Sequence, residues 1–184
     1  MLGDRDVGLY AAATTITELW YFIPVALSQA VFPRIIALHS SPARYYNFIE
    51  KFGRALVMAA YIFAITISLF SHQAIGLIYG TDYADARSVL VVSAWAGVFV
   101  ALGTAQGPWS VAENLQRQSL YRTASGAVAN VLLNLIFIPI WGITGAAVAT
   151  IISYSISAFA GNIFSPATRP FFYRQLRMLV PYAY

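Results

Sequence analysis

The sequence contains no cysteine, which excludes disulfide bonds, thiolate catalysis and zinc sites built on thiolates. Its two histidines, His39 and His72, lie in separate segments of the chain. No metalloprotease, nucleophile-elbow, P-loop or dinucleotide-binding motif occurs in it. We therefore expect no catalytic residues, no metal ligands and no cofactor, and we interpret the chain as a protein that is not an enzyme.

Charged residues are also scarce, at 10% of the chain against 59% hydrophobic residues. This balance, with a mean hydropathy of +0.67, is far from the average of soluble proteins. A chain of 184 residues is too small to bury so many apolar side chains in a soluble core. The net charge of +4 is not arranged as a basic stripe with interleaved aromatics, so we expect a lipid bilayer and no nucleic acid as partner.

Long apolar stretches fill most of the chain, and each offers about the 20 residues that a helix needs to cross a bilayer. They predict an all-α polytopic membrane protein with five transmembrane helices. A transmembrane helical bundle is predicted over residues 1–165 and a cytoplasmic tail over 166–184. The predicted spans are residues 7–36, 55–79, 88–112, 123–140 and 143–164.

The basic residues fall into every second gap between the predicted spans. Because cytoplasmic loops carry the excess of Lys and Arg, this pattern predicts a cytoplasmic C-terminus and an outside N-terminus. An outside start with the short segment Met1-Leu2-Gly3 before it suggests the C-terminal portion of a longer transporter; a natural five-helix protein is the alternative. The basic residues assigned to the inside are Arg34, Arg44, Lys51, Arg54, Arg117, Arg122, Arg169, Arg174 and Arg177.

The first predicted span carries a polar stripe, since four of its residues recur at spacings that keep them on one helical face. Within this stripe, Glu18 is a carboxylate inside the span, where a charge costs about 2.5 to 3.5 kcal/mol and usually marks a pathway. The alternative is that Glu18 lies close enough to the outer interface to be solvated. Pro24 and Pro33 predict a kinked or two-part helix. The stripe consists of Tyr10, Thr14, Glu18 and Gln29.

The fourth and fifth predicted spans are suited to pack together as an antiparallel hairpin. Asn130 and Asn134 share one helical face, where they form interhelical hydrogen bonds or line a cavity. A tight turn at Pro139 and Gly142 separates the two spans, and in the third span we expect a structural hydrogen bond from Gln106. The small-residue face of the fifth span consists of Gly145, Ala146, Ala149, Thr150, Ser153, Ser157 and Gly161.

Four segments of the sequence form a recognisable pattern: residues 7–13, Ile23-Pro24, Phe32-Pro33, and 134–147 followed by Thr150. In these segments the chain resembles the polysaccharide flippases, which include O-antigen and lipid-linked oligosaccharide translocases and belong to the multidrug/oligosaccharidyl-lipid/polysaccharide exporter superfamily. The resemblance extends to about Phe164 and implies the C-terminal lobe of a two-lobed flippase, with a missing N-terminal lobe or a second copy as partner. It implies translocation of an undecaprenyl-pyrophosphate-linked oligosaccharide by alternating access, for O-antigen of lipopolysaccharide or for capsule, in the bacterial inner membrane.

The resemblance also implies roles for particular residues. Arg34, Arg54 and Arg122 lie at the cytoplasmic ends of spans, where they receive a pyrophosphate or fix the topology. No Lys or Arg lies in the middle of a span, so cations deep in a cavity would come from the missing lobe. The alternatives are a fragment of a multidrug-extruder-like transporter and a non-transporting membrane scaffold subunit. The implied substrate or ion pathway consists of Glu18, Thr14, Gln29, Asn130 and Asn134.

Overall fold

The computed structural model describes residues 3–181, which contain helices and their connections and, over this range, no strand. The predicted all-α fold is confirmed. Two 3₁₀ turns, Thr81–Ala86 and Ala160–Ile163, precede the third and the last helix. The helices are α1 (Asp4–Leu38), α2 (Pro42–Ile78), α3 (Arg87–Ala112), α4 (Gln116–Ala158) and α5 (Arg169–Leu179).

Four helical elements are long and apolar enough to cross a membrane, so the prediction of a helical membrane protein is confirmed. The predicted number of five is not what the structure shows, because the fourth and fifth predicted spans form one helical element. Gly142 interrupts that element with φ 57° and ψ −136°, a conformation that side chains rarely tolerate. Helix α4 therefore has a first arm, residues 116–141, and a second arm, residues 143–158.

The two arms of α4 lie side by side and run in opposite directions. A Cβ atom placed on Gly145 would come within 2.2 Å of the carbonyl oxygen of Phe137, so the backbones touch beside the turn. Further along, the amide of Asn130 donates to the Thr150 hydroxyl at 3.5 Å. The predicted antiparallel hairpin is confirmed, and it forms because small residues let the two backbones approach closely.

Helix α1 is continuous from Asp4 to Leu38 and includes both Pro24 and Pro33. No residue inside it leaves helical φ/ψ values, so the two-part form of the prediction is wrong. Helix α2 does contain such a residue, Phe70 at φ −111° and ψ 15°, although no proline is nearby. Proline positions alone therefore do not decide where these helices are interrupted.

Contacts between the helix connections define two ends of the bundle. At one end, Arg5 at the start of α1 lies 3.4 Å from the Asp85 carboxylate, which precedes α3. At the other, His39 after α1 lies 3.7 Å from the Glu113 carboxylate, which follows α3. Helices α1 and α3 therefore run parallel, and α2, which connects them in the chain, runs in the opposite direction.

The end that carries His39 and Glu113 is named the basic end, because the basic residues of the chain collect there. It includes the first turns of α2, the first turns of α4 and all of α5. Among the basic residues that the structure describes, only Arg5 and Arg87 lie at the opposite end. The charge asymmetry of the sequence is thus a property of the folded bundle.

Helix α3 occupies the centre of the bundle and packs against α1, α2 and α4. Helix α5, which the sequence analysis did not predict, docks at the basic end against α2. It turns Phe171, Gln175 and Met178 inward at helical spacing, and all three are buried. The Phe171 ring stacks on Trp109 of α3 with centroids 4.3 Å apart. The segment after residue 165 therefore contributes to the hydrophobic core.

Candidate functional site: a polar cavity and a buried amide network

A cavity of about 690 Å³ lies between the second half of α1, the end of α3 and the start of α4. We name it the α1 cavity. The Ser28 hydroxyl donates to the Thr104 carbonyl oxygen at 3.0 Å and joins α1 to α3 at this cavity. Its volume falls in the range of small-ligand sites. The polar side chains in its wall include Ser28, Gln29, Thr104, Ser110, Ser119 and Thr123.

A second cleft, of about 260 Å³, lies between the two arms of α4 and is named the hairpin cleft. Asn130, Thr150 and Ser153 contribute polar groups to its wall. Thr123 lines both the hairpin cleft and the α1 cavity, so the two adjoin. Both have polar side chains in a wall that is otherwise mostly apolar.

Asn130 links the two arms of the hairpin, and Asn134 supports it from the same arm. Asn134 Nδ2 donates to Asn130 Oδ1 at 3.0 Å, and Asn130 in turn donates to Thr150 on the second arm. The predicted interhelical hydrogen bond is confirmed. Asn134 Oδ1 is buried and has no hydrogen-bond partner among residues 3–181. A role of the two asparagines in a substrate pathway stays a prediction.

Thr14 and Glu18 of α1 do not line the hairpin cleft. The Thr14 hydroxyl donates to the carbonyl oxygens of Tyr10 and Ala11, so it serves its own helix. Glu18 is exposed and makes no ion pair within the described part of the chain. Residues 3–181 contain no group of carboxylates and histidines placed to hold a metal ion.

A buried network of amide side chains joins α3, α4 and α5 at the basic end. Gln106 Nε2 donates to Asn162 Oδ1 at 2.8 Å, and Asn162 Nδ2 donates to Gln175 Oε1 at 2.8 Å. Gln175 Nε2 donates to the Ala158 carbonyl oxygen at 2.7 Å. All three amide side chains are fully buried. The structural hydrogen bond expected of Gln106 is confirmed.

The predicted cations differ in their surroundings. Arg122 donates from its NH1 group to the side-chain oxygens of Gln106 and Asn162, so it belongs to the amide network. Arg54 is half-buried and donates to the Arg177 carbonyl oxygen at 3.3 Å. Arg34 is exposed at the end of α1. The structure thus places the three arginines at one end of the bundle but in separate environments.

The structure does not gather the predicted site residues into one constellation. Gln29 lines the α1 cavity and Asn130 the hairpin cleft, whereas Glu18 lies outside both. Sequence reasoning missed Asn162 and Gln175, which bind Arg122 and Gln106. The sequence offers these two amide residues as a signal, but their hydrogen-bond partners lie far away in the chain.

Comparison with known proteins identifies a similar protein of named function. The chain is similar to the probable low-salt glycan biosynthesis flippase Agl15 of Haloferax volcanii, with 26% identity over 160 residues. The similarity covers 85% of this chain and 34% of the relative, so the chain spans about a third of the relative's length. No family model matches the chain, and no solved structure matches it.

The similarity and the fold agree on a broad class. Four long apolar helices make the chain a multi-pass membrane protein. The relative is named as a flippase, which is a transporter and not an enzyme.

Proposed function

We propose that this chain forms part of a membrane flippase for lipid-linked glycans. One observation carries the proposal: an apolar helical bundle similar to a glycan biosynthesis flippase contains a cavity of about 690 Å³ with polar side chains in its wall. The amide of Gln29 and the hydroxyls of Ser28 and Ser119 are neutral donors and acceptors of the kind that sugar hydroxyls bind.

Polar side chains in a cavity wall lower the main energetic cost of glycan translocation, which is the desolvation of sugar hydroxyls. Moving a hydroxyl or amide from water into hydrocarbon without a hydrogen-bond partner costs several kcal/mol per group. Hydrogen bonds to the wall of the α1 cavity, or to water held in it, offset that cost for a sugar. The apolar outer faces of the helices meanwhile remain in contact with lipid, as Phe22, Leu132 and Ile136 illustrate by their exposure.

The resemblance to polysaccharide flippases supports a more specific lobe arrangement and substrate. The chain acts as one lobe beside a second lobe or a second copy, and the cavity between lobes opens alternately to either leaflet. The substrate is an undecaprenyl-pyrophosphate-linked unit of O-antigen or capsule in a bacterial inner membrane. Glu18, Thr14 and Gln29, with Asn130 and Asn134, contribute to the substrate or ion pathway.

We further propose that each arm of α4 crosses the membrane, which gives five passes and a cytoplasmic basic end. The absence of native cysteine permits a direct test by single-cysteine labelling with a membrane-impermeant maleimide. Cysteines at Ser41 and Asn114 are expected to react from the cytoplasmic side, and those at Thr81 and Trp141 from the outside. Labelling of Ser41 and Thr81 from the same side would contradict this topology.

The transport role is tested by changing the cavity wall at the native locus. Gln29→Leu is expected to lower the rate of lipid-linked glycan translocation about three- to tenfold, because one neutral hydrogen bond contributes about 0.5 to 1.5 kcal/mol. The rate is measured as glycan newly exposed on the outer leaflet of spheroplasts, detected with a lectin. Gln73→Leu is the matched control, since Gln73 is an exposed glutamine of α2 outside the cavity.

Equal rates in wild type and Gln29→Leu would contradict the role of the α1 cavity. Unchanged glycan export together with reduced efflux of lipophilic cations would favour the multidrug-extruder alternative. Unchanged glycan export when the chain is deleted altogether would contradict the proposed function and leave the scaffold alternative.

A further inference from the structure

A pocket of about 580 Å³ opens at the basic end, on the first turns of α4 and the segment that follows its second arm. We name it the basic pocket. It shares no lining residue with the α1 cavity and is therefore a separate site. Its lining side chains include Arg117, Tyr121, Arg122 and Phe164.

The basic pocket carries two positive charges without a counter-ion. Neither Arg117 nor Arg122 lies within 4.0 Å of a carboxylate in the described range 3–181. Arg122 is held by the neutral oxygens of Gln106 and Asn162, which orient the guanidinium but do not neutralise it. A partly buried, uncompensated charge is costly, and a bound anion offsets that cost.

The two arginines differ in a way that suits an anion site. Arg122 is fixed by the amide network, and its Nε group is buried without an acceptor. Arg117 is exposed, and its Nε group donates to the Tyr121 hydroxyl at 3.0 Å. Guanidinium groups bind phosphate oxygens through paired hydrogen bonds. One fixed and one adjustable cation match the needs of a phosphate.

The rim of the pocket is apolar. Phe164, which lines the pocket, is 83% exposed, and its chain neighbour Ile163, at the end of the 3₁₀ turn, is 40% exposed. Exposed large apolar side chains beside a cationic pocket fit an amphiphile whose charged group enters the pocket while its chain stays in the bilayer. The basic end lies where helices that cross a membrane meet the headgroups.

We propose that the basic pocket binds the phosphate group of a membrane lipid, with Arg117 and Arg122 as its cations and Phe164 against the lipid chain. Two sources supply this chemistry: a bilayer phospholipid, and the phosphorylated polyprenyl carrier that the proposed function requires. The pocket itself does not depend on the proposed function, since either lipid fills it. Binding of the polyprenyl carrier alone would rest on that function.

The test measures lipid binding to the purified chain in dodecyl maltoside, by native mass spectrometry and thermophoresis. The probes are dioleoyl-phosphatidylglycerol and geranylgeranyl monophosphate, each with its phosphate-free counterpart, dioleoylglycerol and geranylgeraniol. We expect at least one phosphorylated probe to bind at least tenfold more tightly than its counterpart. We also expect Arg117→Gln to weaken that binding about tenfold, or about 1.4 kcal/mol, because it removes a charge-assisted hydrogen bond to the phosphate.

The control variant is Arg44→Gln, which removes the same charge from an exposed position on α2 at the same end. An equal loss of binding in Arg44→Gln and Arg117→Gln, or equal binding of phosphorylated and phosphate-free probes, would overturn the proposal. Arg122→Gln also disturbs the amide network, so Arg117→Gln decides the outcome and the melting temperature of each variant is recorded.

The two probes separate the sources of the phosphate. Preference for phosphatidylglycerol assigns the pocket to a bilayer lipid, whereas preference for geranylgeranyl monophosphate links it to the polyprenyl carrier. Lipid binding that persists in a chain without glycan translocation would contradict the proposed function alone. Translocation that persists after Arg117→Gln abolishes lipid binding would separate the pocket from the transport pathway.

Discussion

Replacing Gly145 by alanine is expected to lower the free energy of unfolding by about 3 kcal/mol, at the upper end of the cost of overpacking. The added methyl group would lie 2.2 Å from the carbonyl oxygen of Phe137 and 2.6 Å from its carbonyl carbon. Both atoms belong to the backbone, so no side chain can rotate away. The two arms of α4 would have to separate beside the turn at Gly142.

The measurement is unfolding in dodecyl maltoside micelles titrated with sodium dodecyl sulfate and followed by far-ultraviolet circular dichroism. The matched control is Gly76→Ala, because a Cβ atom there meets no atom within 4 Å. Alanine has the higher helix propensity, so this control is expected to unfold at the same midpoint or a slightly higher one. Coincident unfolding curves for Gly145→Ala and Gly76→Ala would show that the arms do not pack as described.

The second large effect concerns the amide network. Asn162→Leu is expected to cost about 3 kcal/mol, since it removes an acceptor from the charged Arg122 and leaves the buried amides of Gln106 and Gln175 with fewer partners. Loss of these bonds should also weaken the packing of α5, because the buried hydrogen bonds of Gln175 attach this helix to the bundle. The expected result is a lower unfolding midpoint together with faster hydrogen exchange in α5 than in α3.

A double-mutant cycle distinguishes this network from simple loss of packing. Removing both partners of a buried polar contact is cheaper than orphaning one of them, so Arg122→Met combined with Asn162→Leu should be more stable than Asn162→Leu alone. Asn47→Leu, at an exposed position of α2, is expected to change stability by less than about 0.5 kcal/mol. Additive losses in the cycle would mean that Arg122 and Asn162 act independently.

Much of the fold was predictable because long apolar stretches in a sequence indicate membrane-spanning helices. Apolar length gave the spans, and the small residues from Gly145 onward gave the hairpin. What the hydropathy pattern cannot show is how helices end or merge. Gly142 reverses the chain without a loop, so two predicted spans form one element in the structure. Likewise, α1 tolerates Pro24 and Pro33 within a continuous helix.

The candidate site was less accessible to sequence reasoning, because its parts come from distant segments. Asn130 and Asn134 lie on one helical face and could be paired by spacing. Gln106 and Gln175 are separated by 69 positions, and nothing local indicates that they meet. Arg122 could be placed at the end of a span, but the neutral character of its partners became visible only in the folded chain.

The bundle is cross-braced unequally along its length. At the basic end, Asn162 and Gln175 link three helices through buried hydrogen bonds that water cannot replace. At the opposite end, the polar links include the exposed contact of Arg5 with Asp85, a hydroxyl pair, and the bond from the Arg87 guanidinium to the buried Ser71 hydroxyl. Each of these joins only two elements, so if the helices separate, we expect the basic end to come apart last.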